Sequence, residues 1–399
     1  MSESVPATYC GATGEVHELF DLLATVVNGL EDVAASEVEA LTGRPASVDV
    51  GKIFFSGDVE SIFKVNYCSR TINRVVILLL RRSLGSGIGL DDIYSSAMAL
   101  DYTSFITGGQ SFAVRAKRSG KHNFTSMDVA SEVGRAIIDS FRRDTGHRLR
   151  VDLENPDVEF LVLVRDGEFI MGINTTGEAL HKRRYRVFSH PAALNTTIAS
   201  AMLMISGWSF EEPLVDPMCG GGTIPIEAAL MARGIPPGRF RGGDYAFFRL
   251  KFLDLEVFRR VADEALSSVS SGVYPIYGLE VNPKYLEGAL RNAESAGVGD
   301  TITLRVGDAM RLKDHLSFTP KYVVTNPPYG IRMRRGRMDR FYARFLRSLR
   351  EVAEGSTLTL ITAARRGFLR AVEEVELDIM ERRNLLYGDL RASIFKCRV

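Results

Sequence analysis

The 399-residue sequence contains only one tryptophan, four cysteines and six histidines, and it has no long apolar run. Its longest purely aliphatic run, 75–80, is long enough for a buried strand and far too short to cross a bilayer. Residues 1–14 lack a basic region followed by an apolar stretch, so we expect no secretory signal. The cysteines and histidines do not show metal-ligand spacing, which predicts no metal site and favours a reduced, cytoplasmic protein without a membrane partner.

The sequence also lacks an excess of either charge, since 50 basic residues nearly balance 49 acidic ones. With a net charge of +1, the whole-molecule field does not attract nucleic acid, so such a partner must be held by local basic patches. One patch lies within 115–121, and another within 331–350 has eight arginines and one acid. The solvated face of an amphipathic helix at 340–349 explains part of the second patch, but the arginines before it favour phosphate contact. The predicted RNA contacts are Arg115, Lys117, Arg118, Lys121, Arg332, Arg334 and Arg335.

The length predicts two or three domains, and the pattern of elements changes along the chain. Residues 20–82 alternate short apolar strands with amphipathic helices, which indicates a small α+β unit. A second unit follows, in which Asp166-Gly167 is a strong hairpin signal. After a polar segment, strands and helices alternate regularly, which is typical of a parallel sheet with helices on both faces. We predict domains at 1–95, 96–175 and 191–399, with a polar linker at 176–190.

A glycine-rich loop, DPMCGGGT, spans 216–223 and joins the first predicted strand of the last unit to a helix at 224–232. Its glycines allow the backbone to approach a ligand closely, and the helix N-terminus offers unpaired N–H groups. The loop matches neither the P-loop nor the dinucleotide fingerprint. Asp216 instead suits the amino group of an amino-acid moiety, although a plain tight turn remains an alternative.

Two further acids follow predicted strands of the same sheet. Glu280 ends the strand 275–279, where a carboxylate can accept both hydroxyls of a ribose. Its distance from the glycine loop exceeds the usual spacing of about 20 residues unless 234–271 is an insertion, and a solvated surface acid is the alternative. Asp308 follows the strand 301–306, where its carboxylate could accept from an adenine amino group.

The motif Asn326-Pro327-Pro328-Tyr329 follows the apolar strand 322–325 and carries the chemistry. The prolines fix the loop, so that the Asn326 side-chain carbonyl and the Pro327 carbonyl can both accept from one NH₂ group. An aromatic amine is a poor nucleophile because its lone pair is delocalised into the ring, and two acceptors favour the pyramidal arrangement that frees it. Tyr329 offers a ring on which an extruded base can stack. The motif predicts methylation of an exocyclic amine, and a plain loop is the alternative.

With these motifs, residues 191–399 resemble the class I, Rossmann-like methyltransferases that modify amino groups of nucleic-acid bases. DPMCGGGT is similar to their cofactor loop and NPPY to their catalytic motif, while IPIEAALMA and GRFRGGDYAFFRLKF resemble RNA guanine-N2 methyltransferases in particular. Residues 96–175 resemble a THUMP domain, an RNA-binding module, and the preceding unit resembles the ferredoxin-like domain that accompanies it. The nearest resemblance is to archaeal tRNA methyltransferases that act on guanine 6 of the acceptor stem.

This resemblance implies an α/β fold with a parallel-sheet core, S-adenosylmethionine as cofactor and tRNA as partner, and we expect a monomer. The segment SHPAALNTTIASAM resembles the stretch that these enzymes place against the cofactor. The implied catalytic residues are Asn326, Pro327 and Tyr329. The implied cofactor contacts are His190, Pro191, Ala192, Ala193, Leu194, Asp216, Cys219, Gly220, Gly221, Gly222, Thr223, Glu280, Val281, Asp308, Ala309 and Asn326.

Several alternatives stay open. Ribosomal guanine-N2 and DNA adenine-N6 methyltransferases would use the same NPPY motif, and the THUMP-like unit favours RNA over DNA. An inactive RNA-binding protein would not need the intact set of Asp216, Glu280 and NPPY, and a nicotinamide oxidoreductase would need the missing fingerprint. A nucleophilic role for Cys219 is disfavoured, because this residue lies in the cofactor loop rather than beside the base-binding loop.

Overall fold

The computed structural model describes residues 7–10, 16–85, 87–328, 337–388 and 390–399. The predictions for Tyr329, Arg332, Arg334 and Arg335 therefore lie outside the described residues. Within the described ranges, no helix is both long and apolar enough to span a membrane.

In the described part of the chain, the first half forms a nine-stranded sheet, called the N-terminal sheet below. Its strands are β1 (Ala7–Cys10), β2 (Val16–Thr25), β3 (Ala46–Asp49), β4 (Lys52–Gly57), β5 (Arg74–Ser83), β6 (Ser111–Ser119), β7 (Arg150–Val151), β8 (Val158–Arg165) and β9 (Glu168–Asn174). The helices of this half are α1 (Glu31–Thr42), α2 (Val59–Cys68), α3 (Leu90–Met98) and α4 (Ser126–Thr145). The strand order is β3-β4-β2-β5-β9-β8-β6-β7, and β1 pairs with β2.

Local sequence signals explain where these elements begin and end. A capping box starts α4: the Thr125 hydroxyl accepts from the Asp128 N–H at 3.2 Å, and the Asp128 carboxylate accepts from the Thr125 N–H at 2.7 Å. The same helix ends at Gly146, which takes the left-handed conformation. Asp166 lies at φ 50° in the tight turn between β8 and β9, so the predicted hairpin forms.

The two predicted N-terminal units share one sheet, because β5 pairs antiparallel with β9 from Val76 and Asn174 to Ser83 and Glu168. The predicted boundary at 95 falls between β5 and β9 in the sequence. Backbone hydrogen bonds between these two strands therefore join the two units that this boundary would separate. A strand pattern identifies a strand but not its neighbour, which is why the sequence did not predict this continuity. The predicted domain boundaries stay predictions.

The second half forms a mixed sheet covered by helices, called the C-terminal sheet below. Its strands are β10 (Leu214–Asp216), β11 (Ile276–Glu280), β12 (Ile302–Val306), β13 (Tyr322–Thr325), β14 (Thr357–Thr362), β15 (Asp378–Tyr387) and β16 (Leu390–Arg398). Its helices are α5 (Thr196–Ser206), α6 (Thr223–Ala232), α7 (Leu255–Ser267), α8 (Pro283–Ser295), α9 (Arg337–Arg350) and α10 (Arg365–Val375).

The order of the C-terminal sheet is β12-β11-β10-β13-β14-β16-β15. The strands from β12 to β14 run parallel, and β16 pairs antiparallel with both β14 and β15. The order reverses at β10, which pairs with β11 on one side and β13 on the other. Such a switch point opens a crevice at the carboxyl ends of the strands, where ligands bind in sheets of this kind.

The segment 176–190, predicted as a polar linker, lacks regular structure but is partly buried between the two halves. Arg183 is 6% and Tyr185 1% exposed. The Tyr185 hydroxyl donates to Glu227 of α6 at 2.8 Å, and Arg183 lies 3.5 Å from the same carboxylate, which also accepts from Ser200 at 2.9 Å. These polar side chains find partners inside the protein instead of water, a property that composition cannot reveal.

The segment 234–271 is an insertion between α6 and β11 that packs on the N-terminal half. Phe247 and Phe258 contact Phe63 of α2, with ring centroids 4.9 and 5.6 Å apart. The insertion explains the long spacing between the glycine loop and Glu280, because β10 and β11 remain neighbours in the sheet.

Candidate active site

A cavity of about 550 Å³ opens at the carboxyl ends of β10, β11, β12 and β13. Its wall includes 190–194, most of the glycine loop, the residues after β11 and β12, and Asn326 with both following prolines. These residues are far apart in the sequence and meet because the carboxyl ends of parallel strands lie at one edge of a sheet. The cavity therefore collects the predicted cofactor and catalytic residues that the structure describes, with Gly222 as the exception.

Gly222 does not line the cavity. It lies at φ 80°, and a Cβ there would be 3.1 Å from the Cβ of Ala289 in α8. A glycine is thus required at position 222 by the positive φ of the turn and by the close packing against α8, and not by contact with a ligand. Gly220 lies at φ 52°, and a Cβ added there would be 3.4 Å from the nearest atom of the His190 ring.

Asp216 ends β10 and is only 1% exposed. Its Oδ1 accepts from the Thr325 hydroxyl at 2.7 Å and from the Met218 N–H at 3.1 Å. Burial raises the pKa of Asp216 to about 7, and the negative charge of Glu280 acts in the same direction. A cation in the cavity would favour the ionised form of this carboxyl, as expected for a group that receives a ligand ammonium.

Glu280 is held at the other side of the glycine loop and is 8% exposed. Its Oε2 accepts from the Gly220 N–H at 3.0 Å, and its Oε1 accepts from the Asn282 N–H at 2.9 Å. Each oxygen keeps a free lone pair, so the carboxylate can still accept two hydroxyl groups. Burial lowers the pKa of the neighbouring His190, whose ring packs edge-on against Tyr285 at 4.3 Å.

Asp308 follows β12 and is less buried than the other two acids. Its Oδ1 accepts from the Met310 N–H at 2.9 Å, and its Oδ2 lies 3.8 Å from Arg311. The adjacent Ala309 is buried and Val281 is exposed, and both line the cavity. Glu280 and Asp308, with the apolar residues beside them, thus line the cavity at the carboxyl ends of the neighbouring strands β11 and β12.

Asn326 directly follows β13, one residue after Thr325, which bonds to Asp216. Its Oδ1 is buried and has no hydrogen-bond partner among the described residues. A buried amide oxygen without a partner costs free energy, so its retention in a cavity wall indicates that a ligand donor completes it. Pro327 is buried and Pro328 exposed, and both line the same cavity.

Sequence reasoning missed several parts of the wall, among them Asn195 and the hairpin of β15 and β16. Asn195 caps α5 through its Oδ1, while its buried Nδ2 has no partner among the described residues; its N-cap position was a signal that could have drawn attention to it. The hairpin of β15 and β16 contributes Leu385, Tyr387 and Ala392, for which no motif exists. Only the sheet order brings this hairpin to the site.

The predicted basic cluster at 115–121 divides between two surfaces. Arg115 and Lys117 are exposed on one face of β6 and line a groove with Arg74, whereas Arg118 lies on the other face and donates to the Gly120 carbonyl at 3.0 Å. Alternation along the strand causes this division. Arg115 also pairs with Glu159 at 3.2 Å, and Lys121 is exposed in the turn after β6.

Two further expectations concern metals and Cys219. No group of three or more His, Cys, Asp or Glu side chains in the described ranges is arranged to hold a metal ion. Burial raises the pKa of the Cys219 thiol well above its ordinary value, and the charges of Asp216 and Glu280 add to this shift. The thiol is therefore neutral, which suits a packing residue and not a nucleophile.

Residues 183–393 match the family of RMKL-like methyltransferase domains, which covers more than half of the chain. The chain belongs to the RMKL-like methyltransferase family. Residues 89–174 match the THUMP domain and residues 21–76 the RlmL ferredoxin-like domain. The resemblance to THUMP-containing methyltransferases and the expected fold class are thereby confirmed.

Two curated relatives share this organisation along almost their whole length. A tRNA (guanine(6)-N2)-methyltransferase from Methanocaldococcus jannaschii is 44% identical over 383 residues, which cover 94% of this chain and 99% of the relative. A protein of the same name from Archaeoglobus fulgidus is 44% identical over 376 residues, covering 93% and 90%. The solved structure of a possible methylase from Clostridium difficile 630 superposes on this methyltransferase with a TM-score of 0.85 and 26% identity, covering 96% and 98% of the two chains.

Proposed function

We propose that this methyltransferase uses S-adenosylmethionine to methylate the N2 amino group of guanine 6 in tRNA. The observation that carries the proposal is the buried, unpartnered Oδ1 of Asn326, in the wall of a cavity that also contains Asp216 and Glu280. An acceptor in this place suits an amine that must be held while it reacts.

The cavity residues fit the proposed cofactor. Asp216 is placed to receive the ammonium group of its methionine part, Glu280 the two ribose hydroxyls, and Asp308 the adenine amino group. Three acids and few cations in the wall match a ligand that carries positive charge and many donors. When bound, S-adenosylmethionine supplies an electrophilic methyl group on a sulfonium.

Asn326 would act on the amine in two ways. Its Oδ1 accepts one N–H of the exocyclic amine, which fixes the direction of the nitrogen lone pair and reduces its delocalisation into the ring. The neighbouring Pro327 carbonyl is the proposed second acceptor. Thr325 joins this strand end to Asp216 at 2.7 Å, so the amine acceptor and the ammonium acceptor belong to one rigid unit.

The choice of tRNA rests on the names of the two relatives and on the THUMP domain. The proposed contacts at 115–121 and 332–335 lie in different domains, so an RNA that reaches both must be larger than an isolated stem. These same names favour tRNA over the ribosomal and DNA alternatives. We further propose that the protein is a cytoplasmic monomer, and the monomer is supported by one chain supplying all of the assigned cofactor contacts except Gly222.

The test is methylation of a tRNA transcript by wild type and Asn326→Ala, with nucleoside mass spectrometry for N2-methylguanosine. Loss of a transition-state acceptor should lower kcat by about 10²- to 10³-fold, while the affinity for tRNA stays within about twofold. Asn155→Ala, an exposed amide in a surface loop, is the matched control.

A transcript with adenine in place of guanine 6 tests the position. Turnover of Asn326→Ala within a few-fold of wild type would contradict the assignment of Asn326. Undiminished methylation of the adenine transcript would contradict the assignment of guanine 6.

A further inference from the structure

The cavity has an aromatic wall residue that the proposed mechanism does not use. Tyr387 ends β15 and lines the same cavity as Asn326, Pro327 and Pro328. It is 40% exposed, whereas Leu385, two residues earlier on the same strand face, is buried at 3%. An exposed aromatic ring in the wall of a cavity that is proposed to hold an aromatic base is an available stacking surface.

The Tyr387 side chain is not committed to another task within the described ranges. No hydrogen bond joins its hydroxyl to another described residue. Its ring contact is with His181, at a centroid distance of 6.5 Å and an interplanar angle of 89°. An edge contact of this kind fixes the orientation of the ring while using little of its surface.

The ferredoxin-like domain holds the strand that carries Tyr387. Asn28 forms an antiparallel bridge with Leu386, and the Leu386 N–H donates to the Asn28 carbonyl at 3.2 Å. At Gly29, with φ 97°, a Cβ would lie 2.1 Å from the Asn384 carbonyl oxygen, so the two backbones meet directly. Asp32 pairs with Arg383 on the same strand.

His181 is tied to the same domain, because its Nδ1 lies 3.1 Å from the Asn73 amide oxygen. The edge strand of the C-terminal sheet and the ring that touches Tyr387 are thus both anchored on the N-terminal half. A substitution in the N-terminal half that shifts the backbone of β15 should therefore also shift Tyr387 in the cavity wall.

We infer that Tyr387 stacks on the target base and that Gly29 of the ferredoxin-like domain positions it by its contact with β15. This inference rests on the proposed function, since it takes the base as the occupant of the cavity. It assigns to the N-terminal domain a part in arranging the active site, in addition to any part in binding RNA.

The first experiment compares Tyr387→Ala and Tyr387→Phe on a tRNA transcript at saturating cofactor. Removing a stacking ring should lower kcat about 5- to 150-fold, because fewer bound tRNA molecules hold the base in the cavity. KM for tRNA and the affinity for S-adenosylhomocysteine should change less than about threefold, and Tyr387→Phe should retain wild-type kcat within about twofold.

A kcat of Tyr387→Ala within twofold of wild type would overturn the inference. So would a Tyr387→Phe variant as slow as Tyr387→Ala, since the hydroxyl and not the ring would then matter. Wild-type turnover in the same assay tests the proposed function separately: an inactive wild type refutes that function, whereas an active wild type with an unaffected Tyr387→Ala refutes only the stacking role.

The second experiment tests Gly29 with a transcript that carries 2-aminopurine at the target position, since stacking on tyrosine quenches this fluorescent base. Gly29→Ala should lower both quenching and kcat, and the double variant Gly29→Ala/Tyr387→Ala should be no slower than Tyr387→Ala alone. Gly43→Ala is the matched control, because Gly43 lies at φ 68° in the same domain with no atom within 4 Å of an added Cβ.

Independent, multiplicative losses in the double variant would show that Gly29 acts elsewhere and would overturn its positioning role. If Gly29→Ala does not fold, Asp32→Ala provides the milder perturbation of the same strand, with the same expected coupling to Tyr387. Wild-type quenching with Asp32→Ala would then contradict the positioning of Tyr387 by this domain.

Discussion

Asp216 predicts a pH dependence of cofactor affinity that can be measured without tRNA. Burial raises the pKa of its carboxyl to about 7, and the like charge of Glu280 contributes. A bound ammonium group favours the ionised form, so binding below pH 7 must release a proton. Affinity should therefore fall as the pH falls through 7 and should approach a plateau above it.

The magnitude follows from the ionised fraction of one group with a pKa of about 7. This fraction is about 9% at pH 6 and about 3% at pH 5.5. Compared with its plateau at high pH, the association constant should therefore be about tenfold lower at pH 6 and about thirtyfold lower at pH 5.5. Asp216→Asn should bind more weakly at pH 7.5 and should lose most of this slope. His190, whose pKa is lowered by burial, stays in place in that variant, so its titration can contribute a remaining slope.

The assay is isothermal titration calorimetry with S-adenosylhomocysteine, which carries the same amino, carboxyl and ribose groups as the proposed cofactor. Titrations between pH 5.5 and 7.5 stay below the range in which most of the ligand's own amino group loses its proton. Repeating one pH in buffers of different ionisation enthalpy counts the released protons. An affinity that does not change across this range, or an equal slope in Asp216→Asn, would refute the reasoning.

Three further predictions concern other parts of the molecule. Glu280→Ala should weaken S-adenosylhomocysteine binding by about 10- to 150-fold in calorimetry, because a charged acceptor for two hydroxyls is lost; equal or tighter binding of a nicotinamide dinucleotide would contradict the cofactor assignment. Gly222→Ala should cost about 1–3 kcal/mol of stability, since it combines positive φ with a contact at 3.1 Å, and should lower the melting temperature more than Gly297→Ala, which has φ 68° and open space. Removing the three arginines after the catalytic motif should reduce the salt dependence of tRNA affinity by roughly 0.9 in slope per lost phosphate contact, and an unchanged slope would mean that they only face solvent. Those residues are Arg332, Arg334 and Arg335.

Much of the candidate site could be predicted from the sequence because its residues lie at or just after the carboxyl ends of strands. Asp216 and Glu280 end their strands and Asp308 and Asn326 follow theirs. A regular alternation of strands and helices predicts that the carboxyl ends of these strands meet at one edge of the sheet. The period of two along β6 could also have separated Arg115 and Lys117 from Arg118.

Other features had no local signal. The pairing of β5 with β9 and the arrival of Tyr387 at the cavity depend on which strands become neighbours, a choice made by long-range packing. The burial of Arg183 and Tyr185 depends on Glu227, more than 40 residues away, and a polar segment with distant partners has the same composition as a solvated one.

The sheet shared by the two N-terminal domains has a consequence for synthesis on the ribosome. β5 contains the longest aliphatic run of the chain, 75–80, and its partner β9 begins about 85 residues later. At roughly 5–20 residues per second, that edge stays open for on the order of 4–17 s while the intervening chain emerges. An open, hydrophobic edge strand is a site for wrong pairing with other nascent chains. Arg74 at one end of the run and Arg81 and Arg82 at the other place charge where such pairing would begin, and we expect this charge to disfavour it.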